Sequence, residues 1–295
     1  MMTIFAMPKA FRGHIGMIQR NAIKSWTLLR PRPEIILFGS DEGTAETAEA
    51  LGLRHIADVA SNEYGTPLLG DLFRQAEANA KHETMCYVNA DIVVMNDFVR
   101  ALGPIGSRWK GYLAISERID MDVAQPIDFD GDWETPLKEQ ARTGGKPVGY
   151  TGIDIFVFPK GTYPRVPDFA LGRLWFDQWL IKAARESGTP VVDLTRVAPV
   201  IHQNHDYSHV AGGKEQVWRG KEAEVNLRLY AAAPHAYTFL DVTHEMLPGG
   251  EVRRVWLRKE KAQAKTFVWK ALVQRTARVR HALNPWRKSA EAREG

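Results

Sequence analysis

Met85-Cys86-Tyr87-Val88-Asn89-Ala90-Asp91-Ile92-Val93-Val94 is the stretch on which the fold turns. The apolar residues 85–88 lead straight into Asn89-x-Asp91. A short apolar run between helix-like segments predicts a strand buried on both faces, as at the centre of a parallel sheet. Open α/β sheets bind ligands outside the carboxyl ends of their strands. A carboxylate at that edge can hold a divalent cation, and the cation can hold a diphosphate. The same residues admit a plainer reading, in which Asn89 and Asp91 are turn residues that bond the local backbone.

Upstream, residues 3–7 predict a first strand, followed by a loop at 8–13 that carries Lys9 and Arg12. Ile15, Ile18, Ala22, Ile23 and Trp26 recur at helical spacing, and Pro31 and Pro33 stop that helix. Residues 34–38 predict a second strand, ended by Gly39-Ser40-Asp41-Glu42-Gly43. A helix follows over 44–51, closed by Gly52. Arg54-His55-Ile56 is a short edge strand. A polar loop at 62–67 leads to a helix that buries Leu68, Leu69, Leu72, Phe73 and Ala76. This β-α-β-α-β-α-β order predicts a mainly parallel sheet with right-handed crossovers. The glycines of a dinucleotide fingerprint are missing, and so is a Gly-x-x-x-x-Gly-Lys-Ser/Thr phosphate loop.

Downstream, the patterning predicts a short helix at 97–102, a strand at 111–116 and a loop at 120–147 rich in Asp, Gly and Pro. It then predicts a strand at 153–158, a helix at 175–187 and a strand at 191–192. A polar block containing His202, His205 and His209 follows.

The chain has 295 residues, 44% of them hydrophobic, enough for a large core. Its one cysteine, Cys86, permits no internal disulfide. The start lacks the basic and long apolar regions of a signal peptide, and no apolar run approaches the roughly 20 residues of a spanning helix. These features lead us to expect a cytoplasmic protein. The formal charge of +4 hides an asymmetry: residues 251–295 hold 13 Lys or Arg against 4 Glu, a net of +9, which leaves −5 on the rest. A basic tail suggests an anionic partner. The acidic body and the lack of a nucleic-acid motif argue against nucleic acid. Val268, Leu272, Val279 and Leu283 share one helical face, and Lys265, Lys270, Arg275, Arg278 and Arg280 spread over much of the remainder. That pattern fits a basic helical tail lying on an anionic membrane, or equally one packed on the protein's own acidic body.

The motifs now stand in a recognisable order: Asp41 after the second strand, Asn89-x-Asp91 after the fourth, Gly152-Ile153-Asp154 before a later strand, and Gly172-Arg173-x-x-x-Asp177. Over roughly residues 3–245 this resembles the GT-A-type nucleotide-sugar glycosyltransferases, especially relatives of the large family 2 group. Asn89 stands where such enzymes usually carry the first Asp of an Asp-x-Asp motif. It brings a carbonyl oxygen but no charge.

The resemblance implies the following roles. Asp91 holds Mg²⁺ or Mn²⁺, directly or through water, and the cation neutralises charge on a departing nucleoside diphosphate. His202 or His205 joins that cation, since such enzymes sometimes add a late histidine; alternatively these are loop histidines bonding backbone or phosphate. The histidine spacing matches no zinc site. Asp41 holds the base or ribose, or else caps the helix that follows. Asn89 belongs to the nucleotide site, and Lys9 and Arg12 face the diphosphate unless they sit in a solvated loop. Asp177 is the general base that takes the acceptor hydroxyl's proton, or it merely favours its helix start. Asp154 binds sugar hydroxyls or starts its strand. Trp175 and Trp179 stack on a sugar or belong to the core.

The expected organisation is a GT-A-like domain over 1–249, with a Rossmann-like nucleotide-binding half at about 1–100, an acceptor half at about 101–249 and a basic helical tail at 250–295. The expected activity is metal-assisted sugar transfer from a nucleotide-sugar donor to a glycan or lipid-linked acceptor. Inversion is favoured because Asp177 can act as base. Two alternatives are a sugar-1-phosphate nucleotidyltransferase, for which residues 8–13 are a poor match, and a non-catalytic nucleotide-sugar-binding relative.

Overall fold

The computed structural model describes residues 1–206, 213–230 and 236–255. The compact body runs from Met1 to Arg254. His209 and nearly all of the expected tail lie outside the described residues. In chain order the strands are β1 (Met2–Ala6), β2 (Glu34–Phe38), β3 (Arg54–Ile56), β4 (Thr84–Val88), β5 (Ile92–Val93), β6 (Leu113–Met121), β7 (Lys146–Pro147), β8 (Ile153–Pro159), β9 (Val191–Asp193), β10 (Val200–Gln203), β11 (His244–Met246) and β12 (Val252–Arg254). The helices are α1 (Gly13–Thr27), α2 (Thr44–Leu51), α3 (Leu69–Asn79), α4 (Asn96–Arg108), α5 (Glu134–Gly144), α6 (Phe176–Glu186), α7 (Gly213–Arg219) and α8 (Lys221–Tyr230).

The central sheet runs β12-β11-β9-β6-β8-β4-β1-β2-β3. Its first-half strands β3, β2, β1 and β4 are all parallel, as the alternation of strands and helices predicts. The sheet as a whole is mixed, because β8 runs antiparallel between β4 and β6. Period-two alternation sends successive side chains to opposite faces. On one face Ile4, Leu37, Cys86, Val88 and Val157 meet Ala22, Ile23 and Trp26 of α1 and Phe98 of α4. On the other, Phe5, Ile36, Tyr87 and Phe156 meet Leu72 and Phe73 of α3 and Leu180 of α6. Helices therefore cover both faces, which is why β1, β2 and β4 are nearly all apolar.

Two elements correct the sequence reading. The expected loop at 120–147 contains α5, whose Leu137 and Ala141 lie one turn apart and, with Trp133 just before the helix, seat a third apolar cluster with Met121 and Ile201. The Asp/Gly/Pro signal belongs to the segment before that helix. Strand β6 extends to Met121 rather than ending at Ser116. A register shift between Ile115 and Glu117 interrupts its alternation, so the outer half reads as non-strand. That outer half brings Arg118 and Asp120 to the site.

Candidate active site

The carboxyl ends of β1, β4, β6 and β10 open on one cleft of about 730 Å³, lined among others by Lys9, Arg12, Asp41, Asn89, Asp91, Arg118, Asp154, Asp177, His202 and His205. Nine of the eleven residues singled out from the sequence thus converge. The other two, Trp175 and Trp179, do not line the cleft. Trp179 lies beside Tyr163 and Phe169, and Trp175 beside Tyr230, in the second core cluster. Both rings are half-buried there, in keeping with the core alternative.

Backbone bonds fix the cleft's edges. Phe11 N–H donates to Glu42 O at 2.8 Å, which ties the loop after β1 to the loop after β2 and sets Arg12 beside Asp41. Asp41 is not the cap of α2; Gly43 occupies that position with a left-handed backbone. Gln19 clamps Lys9 through both its backbone groups, at 2.7 and 2.8 Å. Buried Gln203 donates to Ile18 O at 2.8 Å and to Asp91 O at 3.0 Å, and it accepts from Asn21 at 2.9 Å. That network holds β10, α1 and the Asp91 backbone in one geometry.

Around this frame runs a chain of charged groups. Asn89 Nδ2 donates to Asp154 Oδ1 at 2.6 Å, and Arg118 Nη1 donates to Asp154 Oδ2 at 2.8 Å. Arg118 Nε lies 2.9 Å from Asp120 Oδ1, which lies 2.9 Å from His202 Nδ1. The other ring nitrogen of His202, Nε2, faces Asp91 Oδ2 at 3.8 Å, and His205 Nε2 is 3.0 Å from the same oxygen. The side chain of Asp91 therefore reaches two histidines from β10 and the residues after it rather than the local turn. Asn89 likewise spends its amide on Asp154, while its Oδ1 accepts from Tyr87 at 3.2 Å.

The electrostatics follow. Burial pushes the Asp91 carboxyl up, but His202, His205 and Lys9 outweigh it and hold the group well below the usual carboxylate range. Burial pulls Lys9 down, opposed by Asp91 and Asp154. Asp177 goes the other way: burial, reinforced by the Asp154 charge, pushes it up to about 7. One cleft thus holds a firmly ionised carboxylate and one poised near neutrality, a pairing suited to separate electrostatic and acid–base tasks. Asp177 sits in the first turn of α6, just after Trp175, whose φ of 92° makes it the one non-glycine residue with positive φ among the described residues. Such strain persists where the surroundings over-determine it. Here it aims the start of α6, and with it Asp177, into the cleft.

Asp91, His202 and His205 offer ligand atoms that all lie within 4.8 Å of one another. Asp91 Oδ1 is buried and has no hydrogen-bond partner. A carboxylate with two imidazoles is a donor set that divalent first-row metals accept. His202 also has the carboxylate at its second nitrogen that metal-binding histidines usually carry. On donor chemistry and on the orphaned oxygen, these residues fit a divalent cation.

Arg118, Asp120, Arg173 and Gln203 were not foreseen as site residues. Arg118 and Asp120 were legible in principle, since the two charges alternate with Ile119 and Met121 along β6.

No protein-family description and no curated protein sequence matches this chain. Solved structures do. Glucosyl-3-phosphoglycerate synthase from Mycobacterium tuberculosis, in complex with Mn²⁺, UDP and phosphoglyceric acid, aligns at 14% identity with a TM-score of 0.48, over 86% of each chain. S. aureus TarS 1–349, in complex with UDP-GlcNAc, aligns at 12% identity with a TM-score of 0.50, over 78% of this chain and 65% of that chain. At such identities the likeness is one of fold. The body of this chain shares the mixed α/β fold of TarS.

Proposed function

We propose that this protein is a glycosyltransferase that moves a sugar from a nucleoside-diphosphate donor to an acceptor hydroxyl, with Mn²⁺ or Mg²⁺ at Asp91, His202 and His205. The observation that carries the reading is the convergence of this donor set and Asp177 in one cleft at the carboxyl edge of the sheet. The neighbouring structures hold UDP or a UDP-sugar, one of them with Mn²⁺, which supports the same assignment. The bound cation supplies charge neutralisation for the departing diphosphate.

The chain's own residues do the rest. Lys9 and Arg12, on the β1 loop, face the diphosphate, and Asp41 faces the base or ribose. Arg12 is paired with Glu42 at 2.8 Å through Nε and is largely exposed, so it can turn to an anion at small cost. Asp177 accepts the acceptor hydroxyl's proton as that oxygen attacks, which favours inversion; a base poised near the working pH is the effective kind. Asn89 and Arg118 engage both oxygens of Asp154, so Asp154 acts first as the hub that spaces the site and offers hydroxyl contacts only through what remains. The basic segment 251–295 docks this enzyme on an anionic membrane surface carrying a glycan or lipid-linked acceptor. This part of the reading rests on sequence alone. Among the described residues no helix is long and apolar enough to cross a membrane.

The experiment is a thermal-shift panel of UDP, GDP, CDP and dTDP, each with and without Mn²⁺. One nucleotide should stabilise the protein only in the presence of the cation, by about 2.7 kcal/mol at 100 times its dissociation constant. Absence of any nucleotide shift overturns the reading.

A further inference from the structure

Arg173 lines the cleft from the short segment that leads into α6. The backbone on both sides of it is braced. Asn226, a buried residue of α8, donates to Ala170 O and to Leu174 O, each at 3.0 Å, and accepts from Ala170 N–H at 2.8 Å. Leu171 N–H donates to Pro67 O at 2.9 Å. The side chain is held as firmly. Glu222, also on α8, accepts at Oε2 from Arg173 Nε at 3.0 Å and from Nη2 at 2.7 Å. Its other oxygen accepts from Asn62 at 2.7 Å, and Thr66 adds a further bond. The Arg173 and Glu222 side chains are 13% and 8% exposed. A guanidinium has five N–H donors, so a carboxylate on Nε and Nη2 leaves Nη1 to a ligand.

An ion pair this far from water is weak evidence for stability, because apolar residues of similar volume often serve as well. At the wall of a cleft it points to a role. Lys9 supplies the second observation. Burial pulls the Lys9 ammonium down and the Arg173 charge adds to that, while Asp91 and Asp154 oppose it. Arg173 and Lys9 therefore come near each other in one half-buried place, an arrangement that an anion relieves. Lys9 is also close enough to Asp91 to help hold that carboxyl ionised. An anion that meets Lys9 thus lies near both the candidate cation site and Arg173. A diphosphate carries oxygens on two phosphorus atoms and can touch all three.

Resting on the glycosyl-transfer reading, we propose that Arg173 binds the β-phosphate of the donor beside Lys9, with Glu222 as the positioning residue that orients its guanidinium. When the bond from the anomeric carbon to the β-phosphate oxygen breaks, its electron pair stays on that oxygen. A guanidinium fixed beforehand stabilises the charge that develops there and loses little side-chain freedom in doing so. Asp177 follows four residues later, and the left-handed backbone of Trp175 turns the chain between the two. One braced segment thus carries a group for the departing phosphate and the base for the arriving hydroxyl.

The test is isothermal titration of the full chain in Mn²⁺ with UDP, GDP, CDP and dTDP, each against its monophosphate. The proteins are wild type, Glu222→Gln, and Glu222→Gln combined with Arg173→Gln, which replaces the buried pair by neutral amides. Wild type and Glu222→Gln should prefer the diphosphate. The double variant should lose about tenfold or more of that preference, as for one charge-assisted hydrogen bond, with monophosphate affinity near wild type. A double variant that keeps the preference overturns the inference. So does a Glu222→Gln protein that loses as much as the double variant, or equal weakening of mono- and diphosphate, since either makes Arg173 a brace for the wall. Glycerol 3-phosphate is also titrated into the diphosphate-loaded proteins. Its loss in the double variant, with the diphosphate preference kept, would assign the guanidinium to an acceptor anion and overturn the inference as well. A wild type that binds none of the nucleotides removes the glycosyl-transfer reading itself, and the inference with it.

Discussion

His202 carries a carboxylate at each end of its ring, Asp120 at Nδ1 and Asp91 toward Nε2. Asp120 Oδ1, 2.9 Å from Nδ1, is placed to hold a proton there, which would leave Nε2 to act as a ligand. Asp120 itself does not line the cleft, so its removal should act through the two cleft residues it touches, His202 and Arg118. Asp120→Asn is expected to weaken Mn²⁺ binding by about 10- to 100-fold, the usual cost of losing such a partner. Electron paramagnetic resonance of free Mn²⁺ during titration checks this. Unchanged affinity would make the contact incidental. At this scale the sequence was partly legible. Asp91 declared itself by its place after an apolar run, and His202 and His205 by their clustering. Asn89 did not reveal that its amide would serve Asp154, because no spacing rule links residues on neighbouring antiparallel strands. The role of Asp120 was hidden behind the register shift in β6.

On the proposed function, helix α6 supplies the general base, and its start is costly. Trp175 adopts a left-handed backbone, and the half-buried Asp177 loses enough solvent that its carboxyl rises to about 7. The sign of the linkage is definite. A carboxyl raised above its unfolded value near 3.9 favours folding below that value and loses the contribution as pH rises through about 7. Asp177→Asn should therefore melt higher than wild type at pH 8 and close to it at pH 4. Its turnover should fall by roughly 10² to 10⁴, with donor binding near wild type. In the wild type, turnover should climb as pH passes upward through about 7, where the base loses its proton. A variant that melts lower at pH 8, or that turns over within about twofold of wild type, would remove Asp177 from this role. Elements with strong periodicity were well marked in the sequence: α2 and β2 have the bounds that their patterns predict, and Gly52 closes α2 in a left-handed conformation. Helix α5 was not seen because its short Leu137/Ala141 stripe follows a turn-rich run. For Trp175 and Trp179 sequence shows which rings flank a carboxylate but not which neighbours they pack on; both lie against the second core cluster.

In the whole molecule an acidic body is followed in sequence by a strongly basic C-terminal segment. Each basic residue near an anionic surface contributes about 1 kcal/mol, so the 11 Lys and Arg beyond Arg254 can hold the body there at low salt. The full chain should co-sediment with anionic vesicles, lose that binding as salt rises, and lose it when truncated after Arg254, where the compact body ends. Both proteins remaining in the supernatant would exclude membrane docking. The topology of the first half was legible because strand and helix periods alternate cleanly there. The antiparallel insertion of β8 was not, since a buried strand reads alike in either direction. What unites the body is the claim that Asp91, His202 and His205 bind a donor's diphosphate through one cation. Mn²⁺ titration followed by electron paramagnetic resonance, on wild type and Asp91→Asn, with and without the stabilising nucleoside diphosphate, tests it most directly. The account predicts a single tight site in the wild type that tightens further with nucleotide, and no such site in Asp91→Asn, whose melting temperature stays near wild type. Equal Mn²⁺ binding by the two proteins, or nucleotide binding that ignores the cation, would contradict it.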